Sequence, residues 1–575
     1  SLKLLNNKRS IKLLDLSIEP YNLKPKQIDF IKNKLETMSL DEKIGQLFLV
    51  IEPEENLEEF IIKYNPGGIM FRPGKSQKIK YKIKTMMNQS KIPLFIAANL
   101  ESGGNGIVKE GTWVGNPLQI AATTDPKYSY QLGNISGSEA YKVGCNMSFS
   151  PIVDIDYNFR NPITNTRTFG SDPEVILKMA KYQIKGLIEN NIIPTIKHFP
   201  GDGVDERDQH LVSSINSLSL DDWKNSYGHI YKSLIDQGIP SIMVGHIYQP
   251  EWEKKLNPSI KKNEFRPAST SKLLINGLLR DILGYNGLAI TDATAMVGYN
   301  VIDSRINLLP QTINAGIDMI LFNKNIDEDY NIIKEAILSG IISQERFNEA
   351  LTRILATKLS QGILRTERLD IQDDIKEHSK SLQNINIKEI IDEIAQKSVT
   401  LVKDREQLLP ISVKKTPRVR LVVLGDVDEG GFKEGGKVGP IFNNRLEDLG
   451  FQVTTYKMDF HEVFEEGVED LKEKFDIAIY VANIETASNQ TTVRINWIQL
   501  MAANAPWFMA SIPTIFISTA NPYHLFDVPY LSTYINGYTS NPETVEAIIR
   551  KIIGQEIFEG ISPIDPFCGD FVAKN

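Results

Sequence analysis

Eight short apolar runs, separated by segments with helical periodicity, predict an α/β protein whose first domain is a (β/α)8 TIM-like barrel. A second series of apolar runs, after a polar stretch, predicts a three-layer α/β sandwich domain. The length of 575 residues exceeds what one hydrophobic core ordinarily supports, which also favours two domains. We therefore expect a barrel domain with an N-terminal extension over residues 1–364, a linker over 365–395 and a sandwich domain over 396–575.

The predicted barrel strands are apolar runs bounded by residues that interrupt strands. In chain order they are Leu47–Val50, Gly68–Phe71, Leu94–Ala98, Met147–Ser150, Pro194–Ile196, Ser241–Val244, Leu288–Thr291 and Asp318–Phe322. Helical periodicity is clearest in Ser76–Gln89, Asp172–Glu189, Leu220–Gln237 and Ser269–Leu283. Continuous apolar runs are typical of parallel strands that are buried on both faces. A doubly wound open sheet would give the same alternation, so it remains the structural alternative.

The second domain follows a helical stretch from Ser343 to Lys358 and a polar segment, Arg365–Lys388, which we interpret as the bridge between domains. That bridge is expected to end in a helix that runs into Ser398. The predicted strands of the sandwich are Val419–Leu424, Gln452–Tyr456, Ile477–Val481 and Thr514–Ile517.

Composition narrows the function classes. A net charge of -8 argues against nucleic acid or an anionic membrane as the main partner. No apolar run reaches the length of about twenty residues that spans a bilayer, and the first residues lack a signal-like stretch, so we expect a cytoplasmic protein. Cys145 and Cys568 are expected to be free thiols. The seven histidines lack zinc-like spacing, and we expect neither a metal nor a cofactor.

Polar side chains stand at the ends of most predicted barrel strands. They are Asn99 and Glu101 after the third strand, Asp154 after the fourth, Lys197 and His198 after the fifth, His246 after the sixth, and Asp292 after the seventh. The carboxyl ends of barrel strands converge on one face, so these side chains are expected to line one site. Singly, a strand-end carboxylate often caps the next helix, and a histidine such as His246 is often a hydrogen-bonded wall residue.

The densest polar run is the glycine-rich stretch from Lys197 to His210. Asp208 and His210 are two residues apart, so the carboxylate can orient the imidazole and stabilise its charged form. A paired imidazole suits proton transfer near neutral pH. The alternative is a surface loop with an incidental contact between the two side chains.

Several motifs in this order resemble glycoside hydrolase family 3, and within it the bacterial β-N-acetylglucosaminidase subgroup. They are Asn161-Pro162 with Arg167-Thr168-Phe169-Gly170, Lys197-His198-Phe199-Pro200-Gly201, Met243-Val244-Gly245-His246, Pro267-Ala268-Ser269, and Gly287-Leu288-Ala289-Ile290-Thr291-Asp292-Ala293. Ser398-Val399-Thr400-Leu401-Val402-Lys403 and Leu408-Leu409-Pro410 resemble the start of the family's second domain. The resemblance covers nearly the whole chain.

The resemblance implies a retaining β-N-acetylglucosaminidase acting on an oligosaccharide or glycoconjugate. Asp292 matches the nucleophile, His210 the acid/base on its loop, and Asp208 the partner of His210. Arg167, Lys197 and His198 match residues that hold sugar hydroxyls, and Asp154 is expected in the same shell. Asn99, Glu101 and His246 complete the expected substrate-binding set.

Two positions depart from the family pattern. The run Asn99-Leu100-Glu101-Ser102-Gly103-Gly104 has an amide where the family has a substrate-binding Asp and one residue more, so Glu101 is a candidate to take over that contact. Asp202 stands where the subgroup has His.

Three function classes follow from these residues. The first is hydrolysis of terminal β-N-acetylglucosamine, with another family 3 β-glycosidase as a variant. The second is phosphorolysis, because a neutral imidazole repels an incoming anion less than a carboxylate does. The third is a silent sugar-binding protein, which the joint presence of Asp292, Asp208 and His210 disfavours. A run from Gly431 to Val438 has phosphate-loop spacing, but Val438 stands where Ser or Thr would bind magnesium, so we read it as a loop.

Overall fold

A computed structural model describes residues 14–365, 385–426 and 438–575. They form two compact units that interleave along the chain. The barrel unit comprises residues 14–112, 133–154 and 183–365, and the sandwich unit comprises 113–132, 155–182, 385–426 and 438–575. The domain boundary proposed near residue 364 stays a prediction, because most of the expected linker, residues 366–384, lies outside the described residues.

Eight parallel strands form the larger of the two sheets described in the barrel unit. They are β1 Phe48–Ile51, β2 Gly68–Met70, β3 Phe95–Ala98, β4 Met147–Ser148, β5 Ile193–Phe199, β6 Ser241–Val244, β7 Leu288–Thr291 and β8 Ile320–Leu321. They neighbour one another in chain order, and β1 pairs with both β2 and β8. A parallel bridge between Ile290 and Met319 joins β7 to the residue before β8, which nearly closes the sheet. All eight predicted strands are present, and the barrel prediction is confirmed over the open sheet.

The described helices fill the segments between the strands and beyond them. The α-helices up to residue 365 are Pro25–Thr37, Leu40–Gln46, Leu57–Tyr64, Ser76–Gln89, Pro117–Ala122, Pro126–Lys142, Pro173–Glu189, Leu220–Trp223, His229–Asp236, Pro250–Leu256, Val297–Asn300, Arg305–Ala315, Ile326–Leu338 and Gln344–Ser360, with π-helical turns at Lys224–Gly228 and Leu273–Ile282. Helix Ser76–Gln89 has the bounds its periodicity predicts, and it buries Ile79, Ile83 and Met86 in the same apolar cluster as the strands. Such one-sided apolar faces explain why these segments cover a sheet.

The sandwich unit contains one mixed six-stranded sheet. Its strands are β9 Thr400–Asp404, β10 Arg418–Gly425, β11 Gln452–Thr455, β12 Ile477–Asn483, β13 Thr514–Ser518 and β14 Thr533–Asn536, in the spatial order β9-β14-β13-β12-β10-β11. Only β9 runs antiparallel to its neighbour. The four predicted strands are present, whereas β9 and β14 were missed because their mixed polar residues give no apolar run.

Apolar clusters cover both faces of this second sheet, which gives the predicted three layers. Ile479 and Ile517 belong to one cluster, together with Phe442 and Ile548 from helices. Alternate strand residues such as Tyr480 belong to the other cluster. The α-helices beyond residue 384 are Ile387–Ser398, Val438–Asp448, Phe460–Glu465, Val468–Lys474, Pro542–Ile552 and Phe571–Lys574.

The run with phosphate-loop spacing lies outside the described residues from 431 to 437. Where the described chain resumes, the Asp426 carboxylate accepts the N–H groups of Val438 and Gly439 at 2.7 and 2.9 Å. A protein carboxylate therefore occupies the start of that helix, where a phosphate would bind. Within the described ranges, no helix is both long and apolar enough to cross a membrane.

Candidate active site

Asp292 lies directly after β7 and is held by two backbone groups. Its N–H donates to Val244 O at 2.8 Å, and its Oδ1 accepts the Ala293 N–H at 2.7 Å. The residue is 7% exposed, and its Oδ2 accepts no hydrogen bond from any described residue. Burial alone would raise the pKa of Asp292, but its interactions with His198, His246 and His210 lower that pKa below its usual value. The side chain is thus an ionised carboxylate with one oxygen left for chemistry.

His198 faces that oxygen, with its Nε2 3.6 Å from Asp292 Oδ2. It is the penultimate residue of β5, so it belongs to the strand and does not follow it. Asp154 orients the ring by accepting from His198 Nδ1 at 2.7 Å and from the His198 backbone N–H at 3.0 Å. The His198 ring therefore lies between the carboxylates of Asp154 and Asp292, and the three side chains form a row. The sequence placed Asp154 among the sugar-binding groups, and its contact with sugar stays a prediction.

Lys197 makes a separate cluster with the residues after β3. Its ammonium donates to Glu101 Oε1 at 2.8 Å and to Asn99 Oδ1 at 3.3 Å. The ammonium is buried, while the Glu101 side chain is 16% exposed. This arrangement places a carboxylate, an amide and a cation side by side, and the expected contacts of these groups with sugar hydroxyls stay a prediction.

The loop that follows β5, residues 200–213, is fixed by buried aromatic side chains. Trp223 Nε1 donates to Pro200 O at 2.8 Å, and the Tyr227 hydroxyl donates to Asp202 O. Gly201 has a φ of +123°, and a Cβ there would lie 2.2 Å from the Tyr227 ring. Only glycine satisfies both the left-handed backbone and this close approach.

Asp208 and His210 form the pair that their spacing predicts. His210 Nδ1 lies 2.6 Å from Asp208 Oδ1, and the same oxygen accepts the His210 backbone N–H at 2.8 Å. Asp208 is buried, whereas the His210 side chain is 22% exposed. Because Nδ1 points at a carboxylate, it carries a hydrogen, and Nε2 is the nitrogen available for proton exchange. The Val297 N–H donates to His210 O at 3.0 Å, which joins the loop to the segment after Asp292.

His246 lies behind Asp292 with both ring nitrogens engaged. Nε2 lies 3.0 Å from Ala293 O and Nδ1 lies 2.8 Å from Ser269 Oγ. A carbonyl oxygen only accepts, so Nε2 donates to Ala293 O, while Nδ1 and the Ser269 hydroxyl share the second hydrogen bond. Burial lowers the pKa of His246, against the opposing effect of Asp292. The ring therefore supports the backbone at residue 293, and its contact with substrate stays a prediction.

Arg167 is the one expected site residue that lies in the sandwich unit. It ends the 3-10 turn Asn165–Arg167 and is half-buried. Its expected contact with sugar stays a prediction. All other expected site residues belong to the barrel unit. Sequence reasoning missed Ser269 and Gln209 as site residues, since neither stands at a strand end or carries a titratable group.

The barrel unit thus contains two groups with complementary chemistry. Asp292 has an ionised oxygen that no described residue hydrogen-bonds, a feature suited to nucleophilic attack, and His210 has a ring oriented by a carboxylate, a feature suited to proton transfer. The hydrogen bond from the Val297 N–H to His210 O holds the loop of His210 against the segment that follows Asp292. No cluster of three or more His, Cys, Asp or Glu residues with metal-binding geometry occurs in the part of the chain that the structure describes.

Several known proteins are similar to this chain in sequence and in fold. The family model described as the glycosyl hydrolase family 3 N terminal domain matches residues 39–357. A Cellulomonas fimi protein named β-N-acetylglucosaminidase/β-glucosidase is 38% identical, covering 97% of this chain and 99% of its own length. A solved β-glucoside phosphorylase bound to 2FGlc is 43% identical with a TM-score of 0.89, covering 96% of this chain and 99% of the other. A family 3 β-N-acetylglucosaminidase from Paenibacillus sp. str. FPU-7, at 22% identity, has the same fold with a TM-score of 0.75, covering 92% of this chain and 99% of the other.

Proposed function

The chain belongs to glycosyl hydrolase family 3, and we propose that it is a retaining β-glycosidase that removes terminal β-linked N-acetylglucosamine. The observation that carries the proposal is the Oδ2 atom of Asp292. It is buried, ionised and without a hydrogen bond from the described residues, and it interacts electrostatically with His210. Retaining glycosidases need this combination of a nucleophile and a proton donor.

In the first step, Asp292 Oδ2 forms a bond to the anomeric carbon while the bond from that carbon to the leaving oxygen breaks. His210 in its imidazolium form gives its Nε2 proton to the leaving oxygen, and Asp208 stabilises the positive charge before transfer. In the second step, neutral His210 takes a proton from water as that water attacks the glycosyl ester. Asp292 leaves as a carboxylate, and the product keeps the β configuration.

Substrate binding falls to the side chains around the row of Asp154, His198 and Asp292. Lys197 with Asn99 and Glu101 offers donors and acceptors for hydroxyls of the terminal sugar. The name of the Cellulomonas fimi relative, with both N-acetylglucosaminidase and glucosidase activities, supports a sugar of the gluco series with either substituent at carbon 2.

Phosphate is the second candidate acceptor for the glycosyl ester. After the first step His210 is neutral, so an incoming dianion meets an imidazole where most retaining glycosidases present a carboxylate. The similarity to a β-glucoside phosphorylase over nearly the whole chain supports this candidate. Such a reaction would release a sugar 1-phosphate in place of the free sugar.

The nucleophile is tested by trapping. A 2-deoxy-2-fluoro glycoside with an activated leaving group slows the second step, and peptide mass spectrometry then finds the labelled residue. We expect the label on Asp292 and no turnover by Asp292→Asn, because an amide forms no glycosyl ester. A label on another residue, or normal turnover by the variant, would refute the assignment.

Acceptor and sugar are tested separately. Aryl β-N-acetylglucosaminide and aryl β-glucoside are compared in phosphate and in phosphate-free buffer, and the products are identified by NMR. The free β-sugar in both buffers supports hydrolysis, and a sugar 1-phosphate in phosphate alone supports phosphorolysis. Turnover of the glucoside alone would change the substrate while leaving the mechanism intact.

A further inference from the structure

Gln209 connects the loop that carries His210 to the strand ends that carry the nucleophile. We infer that Gln209 is a positioning residue that sets the separation between His210 and Asp292. In the sequence it stands between Asp208 and His210, and its side chain is fully buried. The inference rests on the proposed acid role of His210 and adds to it a residue that touches neither substrate nor the reacting atoms.

The side-chain amide of Gln209 bonds in two directions. Its Oε1 accepts the backbone N–H of His246, two residues after β6, at 2.9 Å, and its Nε2 donates to Asp202 Oδ2 at 3.4 Å. Gly245 leaves room for this group, since a Cβ there would lie 3.1 Å from Gln209 Oε1. The amide is thus used as a donor and an acceptor at once.

The backbone of the same residues is fixed against the segment after Asp292. Gln209 O lies so close to Gly298 that a Cβ on that glycine would be 2.2 Å away. The neighbouring His210 O accepts the Val297 N–H at 3.0 Å, and Ser213 Oγ donates to Gly298 O at 2.5 Å. These contacts hold the loop against the segment that follows Asp292, and the Gln209 side chain adds hydrogen bonds to two residues outside that segment, Asp202 and His246.

From Asp202, further polar contacts lead to the nucleophile Asp292. Asp202, which accepts from Gln209, donates its backbone N–H to Asp154 Oδ1 at 2.8 Å. Asp154 Oδ2 holds His198, whose Nε2 faces Asp292 at 3.6 Å. Gln209 thus joins the part of the loop that carries His210 to a polar network that runs through Asp202, Asp154 and His198 to the nucleophile.

Two substitutions of Gln209 test the two hydrogen bonds of its side-chain amide. Gln209→Met keeps a similar length and removes both hydrogen bonds, so the His246 N–H loses its acceptor. Gln209→Glu keeps the acceptor for that N–H but removes the donor and places a carboxylate against Asp202. Both changes leave Asp208, His210 and Asp292 in the chain.

The test uses aryl β-glycosides that differ only in leaving-group acidity. A phenol leaving group needs the proton from His210, whereas a dinitrophenol does not. For Gln209→Met and Gln209→Glu we expect kcat/KM on the phenyl glycoside to fall roughly 10- to 100-fold, the size of loss that a misplacement of about 1 Å causes. On the dinitrophenyl glycoside we expect a fall of less than about threefold, because that leaving group departs unaided.

Gln249→Met is the matched control. Gln249 is equally buried, accepts the Trp252 N–H at 2.9 Å and donates to Leu218 O at 2.9 Å, but its bonds do not involve the loop residues 200–213. We expect it to lose stability as Gln209→Met does while keeping the wild-type dependence on leaving group. The Tm of each variant, measured by thermal unfolding, shows whether a loss of activity reflects a general loss of structure or a displaced His210.

His210→Ala distinguishes failure of the inference from failure of the proposed function. If His210→Ala loses activity equally on both glycosides, the acid role itself is wrong. If His210→Ala shows the selective loss while both Gln209 variants match the wild type, or lose equally on both glycosides, Gln209 does not position the acid. Should Gln209→Met unfold at the assay temperature, Gln209→Glu decides by the same comparison.

Discussion

Asp208→Asn tests how much the buried carboxylate contributes to the acid/base group. Both the Nδ1–H and the backbone N–H of His210 point to the same oxygen, Asp208 Oδ1. An asparagine that keeps its oxygen there accepts both hydrogen bonds and leaves the ring where it is. The substitution therefore removes the negative charge while keeping both hydrogen bonds to His210.

The structure sets an upper and a lower bound on the free energy that the Asp208 charge contributes to His210. Coulomb's law for unit charges 2.6 Å apart, with an effective dielectric constant of about 20, gives a ceiling of about 6 kcal/mol. Solvent at the partly exposed His210 ring screens this interaction. The difference between a charge-assisted and a neutral hydrogen bond gives a floor of about 1 kcal/mol. With about 1.4 kcal/mol per tenfold in rate, the floor corresponds to about 5-fold and the ceiling to about 20,000-fold. Because solvent screens the pair, we expect a loss of roughly 5- to 1,000-fold on phenyl glycosides.

The assay compares kcat/KM of wild type and Asp208→Asn on phenyl and dinitrophenyl glycosides. The loss is expected on the phenyl substrate, because only that leaving group needs the imidazolium proton. Asp205→Asn is the control, since Asp205 lies in the same loop and also pairs with a residue two positions on, Arg207, at 2.8 Å. Loss on both substrates alike, or an equal loss in the control, would contradict a role for Asp208 through His210.

Two further predictions concern stability. Gly201→Ala is expected to lower the free energy of unfolding by roughly 2–4 kcal/mol, because the added Cβ meets the fixed Tyr227 ring at 2.2 Å and φ is +123°; thermal unfolding measures this, and an unchanged Tm would contradict it. Burial raises the pKa of Glu253 to about 7, so the folded protein keeps this proton after the unfolded chain, with its ordinary carboxyl pKa, has lost it. Stability is therefore lost as pH rises from about 4.5 to about 7, and Glu253→Gln, which imitates the protonated acid, is expected to unfold near the wild-type Tm at pH 5 and above it at pH 8. Equal shifts at both pH values would refute the assignment.

The apolar pattern determined the fold class, because burial on both faces of a parallel strand is written locally as a continuous apolar run. The eight barrel strands and four of the six sandwich strands follow from it. Strands β9 and β14 do not, since Thr400–Asp404 and Thr533–Asn536 mix polar and apolar residues. The order of motifs also identified Asp292, Asp208 and His210 as candidate site residues. The spacing of the last two predicted their contact.

Tertiary structure alone decided what surrounds those residues. Asp154 meets His198 across 44 positions of sequence, and Gln209 meets the backbone of His246 across 37. Local patterns report which face of an element is apolar, whereas a hydrogen bond between distant residues exists only once the strand ends have converged. The same holds for the assignment of residues 113–132 and 155–182 to the sandwich unit, and for the Asp292 oxygen that no described residue hydrogen-bonds.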